Sequence, residues 1–173
     1  MTALSVAQTI AADCLAFRVR RVSRVLTRLY DEALRPLGIQ ATQLTLLNAV
    51  ALCDETSDGN GAAMSQLADV LAMDLTTLSR NLRPLEKSRL IAISPLPADR
   101  RVRIARLTNS GQRLIENALP LWRHAHARVI EALGEQEAAD LKAAFDATVR
   151  AIHPATPGRR TPAERAPAES ASR

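Results

Sequence analysis

Apolar positions along the chain fall into a few helical stripes, interrupted once by a strand-like stretch. Leu15, Val19, Val22, Leu26 and Leu29 step by 4, 3, 4, 3, which predicts one long amphipathic helix over residues 9–35. Pro36-Leu37-Gly38 ends it. A second helix is predicted over about 41–53, with Thr42 as N-cap and Leu44, Leu47 and Leu52 inward. Residues 54–61, DETSDGNG, read as a loop. Ser65 then caps a short helix, SQLADVLAM, and Asp74 caps another that runs to about Lys87. In this last helix Leu75, Leu78, Leu82 and Leu85 step by 3, 4, 3.

The period then changes. Ile91 and Ile93, followed by Val102, Ile104 and, one place later, Leu107, flank a Pro-rich, Asp-Arg turn, so residues 90–107 read as a two-stranded hairpin. Thr108 caps a further helix over about 109–131, where Pro120 should kink or split the stripe. A last helix covers about 135–151. Residues 1–8 read as a flexible start, and 153–173, rich in Pro, Ala, Arg and Glu, read as a disordered tail. The expected fold is mainly α with a small β-hairpin wing: a winged helix-turn-helix core over about 40–107 within a domain of 9–152. The outer helices, about 9–35 and 109–151, carry apolar stripes that need a partner, and a second copy of the chain is the economical one.

Composition sharpens this picture. Four aromatic residues, Phe17, Tyr30, Trp122 and Phe145, leave a core of Leu, Ala, Val and Ile, which suits helix packing and argues against a single-strand binder that stacks bases on aromatic platforms. The net charge is +5, and the only lysines are Lys87 and Lys142. Arginine, with its planar fork, therefore carries the positive charge. No apolar run approaches the roughly 20 residues of a membrane span, and no secretory leader is visible, so the expected location is the cytoplasm. Two cysteines, Cys14 and Cys53, form neither a disulfide framework nor a zinc pattern, and nothing calls for a cofactor or metal.

Two features carry chemistry. On the helix that starts at Asp74, the leucines mark the buried side, so Thr76, Thr77, Arg80 and Asn81 project outward from its N-terminal half, with Ser79 beside them. An arginine there can clasp guanine O6 and N7, hydroxyls can reach phosphates or bases, and Arg83, Lys87 and Arg89 suit the backbone. In the hairpin, Asp99, Arg100, Arg101, Arg103 and Arg106 put four arginines and one aspartate into eight residues. An arginine-tipped hairpin suits a narrow minor groove, and Asp99 can pair with Arg101 across the turn. Each feature alone is also what a solvated turn or a simple cap looks like. Together, one helix apart, they point to double-stranded DNA.

Residues 14–150 resemble the MarR family of winged-helix regulators. The most specific part is LADVLAMDLTTLSRNLRPLEKSRLI followed by DRRVRIARLTNSG. The family's wing signature is matched by Asp99, Arg101, Leu107, Thr108 and Gly111, and its recognition helix by Thr76, Thr77, Ser79 and Arg80. The resemblance implies a homodimeric repressor on a near-palindromic operator, with half-sites about one helical turn apart. It also implies release by a small organic effector, for which Arg18, Tyr30 and Gln43 are candidate ligands. Two positions depart from the pattern. Arg89 stands where the family usually has Gly, so the helix end is expected to adjust locally. Pro84 lies inside the recognition helix and should bend its C-terminal half.

Other readings stay open. Cys14 lies near the position of the sensing thiol in a peroxide-responsive branch of the family, offset by two residues, and Arg18 could favour its thiolate. Cys53 reads as core. An enzyme using Cys14 as nucleophile lacks a recognisable motif or a nearby histidine. A dimeric interaction protein that has lost DNA binding would not need its arginines at 80, 100, 101 and 103.

Overall fold

A computed structural model describes residues 2–153. Its elements are α1 (Ala3–Asp13), α2 (Leu15–Leu34), a 3-10 turn (Arg35–Leu37), α3 (Ala41–Glu55), β1 (Ala62–Ala63), α4 (Met64–Val70), α5 (Leu75–Lys87), β2 (Ile91–Pro95), β3 (Arg103–Leu107), α6 (Asn109–Leu133) and α7 (Glu135–Ile152). The strands form one antiparallel sheet in the order β1-β3-β2, with Ala62 opposite Ala105 and Ile93 opposite the same residue from the other side. The fold is the expected one, a mainly helical chain with a β wing. Among the described residues no single helix is long and apolar enough to cross a membrane.

Two apolar clusters hold it together. Leu47, Val50 and Cys53 of α3, Leu67 of α4, the three leucines Leu78, Leu82 and Leu85 of α5, and Ile91 and Ala105 of the sheet form the larger. Leu34, Ile39, Leu44 and Ala118 form the smaller. Leu114 and Ile115 of α6 touch both, so α6 joins the winged core to the outer helices.

Several boundaries differ from expectation for local reasons. The first helix is two helices: the chain leaves helical geometry at Cys14 (φ −72°, ψ 110°). Arg18 Nη1 donates to the carbonyls of Ala11 and Cys14, both at 3.4 Å, across that break. Residues 1–8, expected to be flexible, largely belong to α1, which Thr2 caps by accepting from Ser5 N at 3.2 Å. Gln40, not Thr42, caps α3, because Gln43 Oε1 returns to accept from Gln40 N at 2.9 Å and completes a capping box. Ala63, not Ser65, precedes α4, since the chain passes straight from the β1 pairing into the helix. Pro84 and Pro120 lie inside helices that remain continuous. The disorder expected over 153–173 concerns residues that, His153 apart, lie outside the described range.

The helix end at Arg89 does not adjust. Arg89 takes φ 56°, the left-handed conformation that glycine adopts without strain. Its N–H donates to Glu86 O and that of Leu90 to Leu85 O, both at 2.9 Å, the paired bonds of a Schellman cap. Ala72 (φ 49°) closes α4 the same way, with Met73 N donating to Ala68 O at 2.9 Å. The bonds hold the arginine in place against the steric preference of its Cβ. Arg89→Gly is therefore expected to raise the unfolding free energy by about 1 kcal/mol, read as a higher midpoint in urea at unchanged slope. A lower midpoint would show that the left-handed cap carries no strain.

Candidate nucleic-acid interface

Asp74 sets the start of α5. Its Oδ1 accepts from Thr77 N at 2.8 Å and its Oδ2 from Thr77 Oγ1 at 2.7 Å. The amide and then the hydroxyl of Thr77 hold the Asp74 carboxyl below its ordinary value. Thr77 thus spends its hydroxyl proton on the cap and keeps only acceptor capacity for a ligand. Ser79 Oγ donates back to Leu75 O at 2.7 Å and is similarly committed. Thr76, Arg80 and Arg83 are exposed, on the side away from the buried Leu78, Leu82 and Leu85. Asn81 departs from expectation. It is half-buried, and its Nδ2 lies 3.9 Å from Met73 Sδ, because its helical position falls at the edge of the leucine face and not opposite it.

The wing turn is built around Asp99. Leu96 N donates to Val102 O at 2.8 Å, and Val102 N to Asp99 O at 3.0 Å. Asp99 Oδ1 accepts from the backbone N of Arg101 at 3.0 Å. Asp99 therefore shapes the turn through the Arg101 backbone, where a pairing with the guanidinium was expected. Arg100, Arg101 and Arg103 are exposed, and Arg103 Nη2 also reaches Ile93 O at 3.4 Å. Arg106 turns away from them and donates to Gly59 O at 3.2 Å, tying the wing to the loop after α3.

Helix and wing meet. Ser79 and Arg83 from α5 and Arg101 and Arg103 from the wing line one groove of about 640 Å³, with Leu75, Ile93 and Val102 among its walls. Leu75, expected on the buried side of α5, is exposed because it stands at the first turn, ahead of the cluster that covers Leu78, Leu82 and Leu85. Three guanidinium groups against one carboxylate, that of Glu86, make it an acceptor for anions. These apolar walls were not expected as part of the site. For Ile93 and Val102 the signal in the sequence is the alternation of the hairpin, and for Leu75 the leucine stepping of α5.

A second cleft, of about 410 Å³, opens between α2, α3 and α7. Val19, Val22, Leu26, Thr42, Tyr30 and Phe145 are among its walls. Of the three candidate effector ligands only Tyr30 lines it. Gln43 is occupied in the α3 capping box and Arg18 at the α1–α2 break. The Tyr30 hydroxyl lies 2.9 Å from His126 Nδ1, and His126 stacks on Trp122 with ring centroids 4.6 Å apart. Burial raises the Tyr30 pKa, which keeps the phenol neutral. In the sequence His124 and His126, two apart on a helix, do not share a face and suggest no metal site; the signal for the ring contact is the spacing of four between Trp122 and His126 on one helix face. Cys14 is half-buried at the helix break, and Arg18 addresses its carbonyl oxygen. Cys53 is buried, which pushes its thiol up to about 11.

An N-capped helix, an arginine-bearing β hairpin beside it and a groove shared by the two define a winged helix-turn-helix protein. No protein-family model matches the chain. Over 81 residues it is 33% identical to the HTH-type transcriptional repressor NicR of Pseudomonas putida. That match takes in 47% of this chain and 51% of the repressor, so the chain spans about half the length of the curated relative it matches. Among solved structures it is similar to a cysteine-to-serine variant of MarR from E. coli in complex with operator DNA, at 25% identity and a TM-score of 0.68 over 81% of this chain and 96% of that one. It is also similar to the M. tuberculosis transcriptional regulator MosR in complex with DNA, at 32% identity and a TM-score of 0.63 over 79% and 98%. The chain belongs to the MarR family of transcription regulators.

Asp74→Ala is expected to lower the melting temperature and fray the first turn of α5, while Asp74→Ser, which keeps an acceptor, restores most of the loss. The sign with pH follows from the lowered carboxyl. The stabilisation from Asp74 is complete above the ordinary aspartate value of 3.8 and fades as pH falls through its lower folded value. Thermal melts of both proteins across acid pH check this, and a gap that widens on acidification contradicts it.

Proposed function

We propose that the chain is a transcription repressor that binds operator DNA as a homodimer and releases it on binding a small organic effector. The observation that carries this reading is the common groove of α5 and the wing. It lets the N-terminal half of α5 enter a major groove while Arg100 and Arg101 reach the adjoining minor groove. Thr76 and Arg80 are the side chains free to read base edges. Arg83 and Arg103 suit phosphates. Two relatives that were solved in complex with DNA share the fold over most of their length, which supports the same use here.

The dimer is supported by apolar surface that the single chain leaves uncovered. Ile10 on α1, Phe17, Val19 and Val22 on α2, and Phe145, Val149 and Ile152 on α7 are all exposed. A second copy that interleaves its outer helices with these would remove them from water, at roughly 25 cal/mol for each Å² buried. The cleft beside Tyr30 lies on these same helices and is walled mainly by apolar and hydroxyl side chains, which suits an uncharged or weakly polar compound. Such a compound acts only if it binds one spacing of the two recognition helices better than the other.

DNA selected from a genomic library and titrated by fluorescence anisotropy tests the first part. The logarithm of the affinity should fall linearly with the logarithm of salt concentration. Arg101→Ala should weaken binding at every sequence, and Arg80→Ala should lose about 1–3 kcal/mol of base preference at one position of each half-site. An Arg101 variant with unchanged affinity removes the wing from the interface. Phe145→Asp tests the dimer: sedimentation should show a monomer whose operator affinity has dropped by more than tenfold, and a variant that stays dimeric rules α7 out of the interface.

A further inference from the structure

The N-terminal end of α6 is fastened to the far end of α5 at one residue, Thr108, through both its side chain and its backbone N–H. Thr108 Oγ1 accepts from Gly111 N at 3.1 Å, which caps α6. The same oxygen donates to Arg89 O at 2.7 Å, with Leu90 O at 3.2 Å, the carbonyls that follow the last turn of α5. Thr108 N donates to Leu90 O as well, at 3.0 Å. Gly111 brings the two elements into contact: a Cβ there would collide with Leu90 O. Arg89 holds its left-handed backbone at this junction, so the carbonyl that receives the Thr108 proton sits on the cap of α5 itself.

A cap needs only an acceptor, and aspartate, asparagine and serine serve at least as well as threonine. The donor half of the Thr108 hydroxyl is therefore surplus to α6 and acts on α5. Its effect differs in kind from the packing below it. Leu114 and Ile115 of α6 rest on the cluster that contains Leu78, Leu82 and Leu85, and such contacts are non-directional. They set how close the helices come. A hydrogen bond falls off steeply with angle, so it sets the direction. From this point α6 runs 25 residues, about 37 Å at 1.5 Å per residue, to the exposed apolar surface of the outer helices.

We propose that Thr108 is the positioning residue that fixes the tilt of α5 relative to α6, and with it the separation of half-sites that a dimer accepts. The inference rests on the homodimeric DNA-binding reading above. A rotation of α6 at the dimer end reaches the recognition helix through the packing of Leu114 and Ile115, the Thr108 N–Leu90 O bond and the Thr108–Arg89 bond, and the last of these adds the direction. Without that bond the two recognition helices still present Thr76 and Arg80, but over a range of tilts.

The test uses the full-length dimer and a selected operator rebuilt with zero, one or two base pairs added or removed at its centre. The wild type should show a sharp optimum. Thr108→Asp keeps an acceptor that caps α6, removes the donor to Arg89 and sets a carboxylate against the Arg89 and Leu90 carbonyls, so it should melt below the wild type and discriminate the optimum from its single-base-pair neighbours at least tenfold less. Thr108→Val, which adds no charge, should relax the profile in the same way, and Thr108→Ser should restore it. An unchanged spacing profile in Thr108→Asp overturns the proposal. So does an equal loss at every spacing, or a serine variant that behaves like valine. If the valine variant does not fold, the aspartate and serine pair decides. A wild type that binds no duplex defeats the DNA-binding reading itself, and a wild type that binds with a flat profile defeats only the role of Thr108.

Discussion

Three leucines on one side of α5 determine what the other side can do. Leu78, Leu82 and Leu85 have no solvent exposure, and each such side chain contributes about 1.5–3 kcal/mol by its burial. Turning the helix by a single residue, about 100°, would bring Ser79 or Thr77 toward the core and lift a leucine into water. The rotation of α5 is thereby fixed before any ligand arrives, and the exposure of Thr76, Arg80 and Arg83 follows from it. The wing obeys the same logic. Ile91 and Ala105 pack into the larger apolar cluster and Ile104 is buried on the opposite face of the sheet, against Gly61, so both strands are held and the turn built on Asp99 carries Arg100 and Arg101 beyond the edge of the sheet.

Features written in a few adjacent residues were legible in the sequence. Asp74 and Thr108 cap the helices they were expected to cap. The shift from period 3.6 to period 2 located the hairpin, and the leucine steps located α5. Features that depend on distant parts of the chain were not legible. The two-residue strand β1 exists because β3 lies beside it. The break at Cys14 leaves the apolar stepping intact and is visible only in the backbone. Asn81 was placed outward because its own helix allows it, but Met73, from the preceding turn, decides where its amide goes. Arg18 and Gln43 had the chemistry of ligands, yet each is taken up by a helix end, while the walls of the cleft come from α2, α3 and α7 together.

Among the described residues three non-glycine residues take left-handed backbone: Asp58 in the loop after α3, and two that flank the recognition unit. Ala72 closes α4 just before the recognition helix and Arg89 closes α5 just after it. Each is over-determined by two backbone bonds, and Arg89 by the Thr108 hydroxyl as well. Such residues persist where the surroundings leave the backbone no alternative. The segment between them, from Met73 to Ser88, is therefore delimited sharply at both ends, and α5 joins its neighbours at two fixed points and not through pliant linkers.

The junction of α2 and α6 has a property of a different kind. The chain holds one tryptophan, and it is Trp122, stacked on His126 and 6.5 Å from the ring of Tyr30. All indole emission from the protein therefore originates at this single crossing, with an imidazole ring against the fluorophore. A shift of α2 against α6 alters the quenching with no label attached. The molecule carries its own optical gauge at the point where its outer helices meet the winged core.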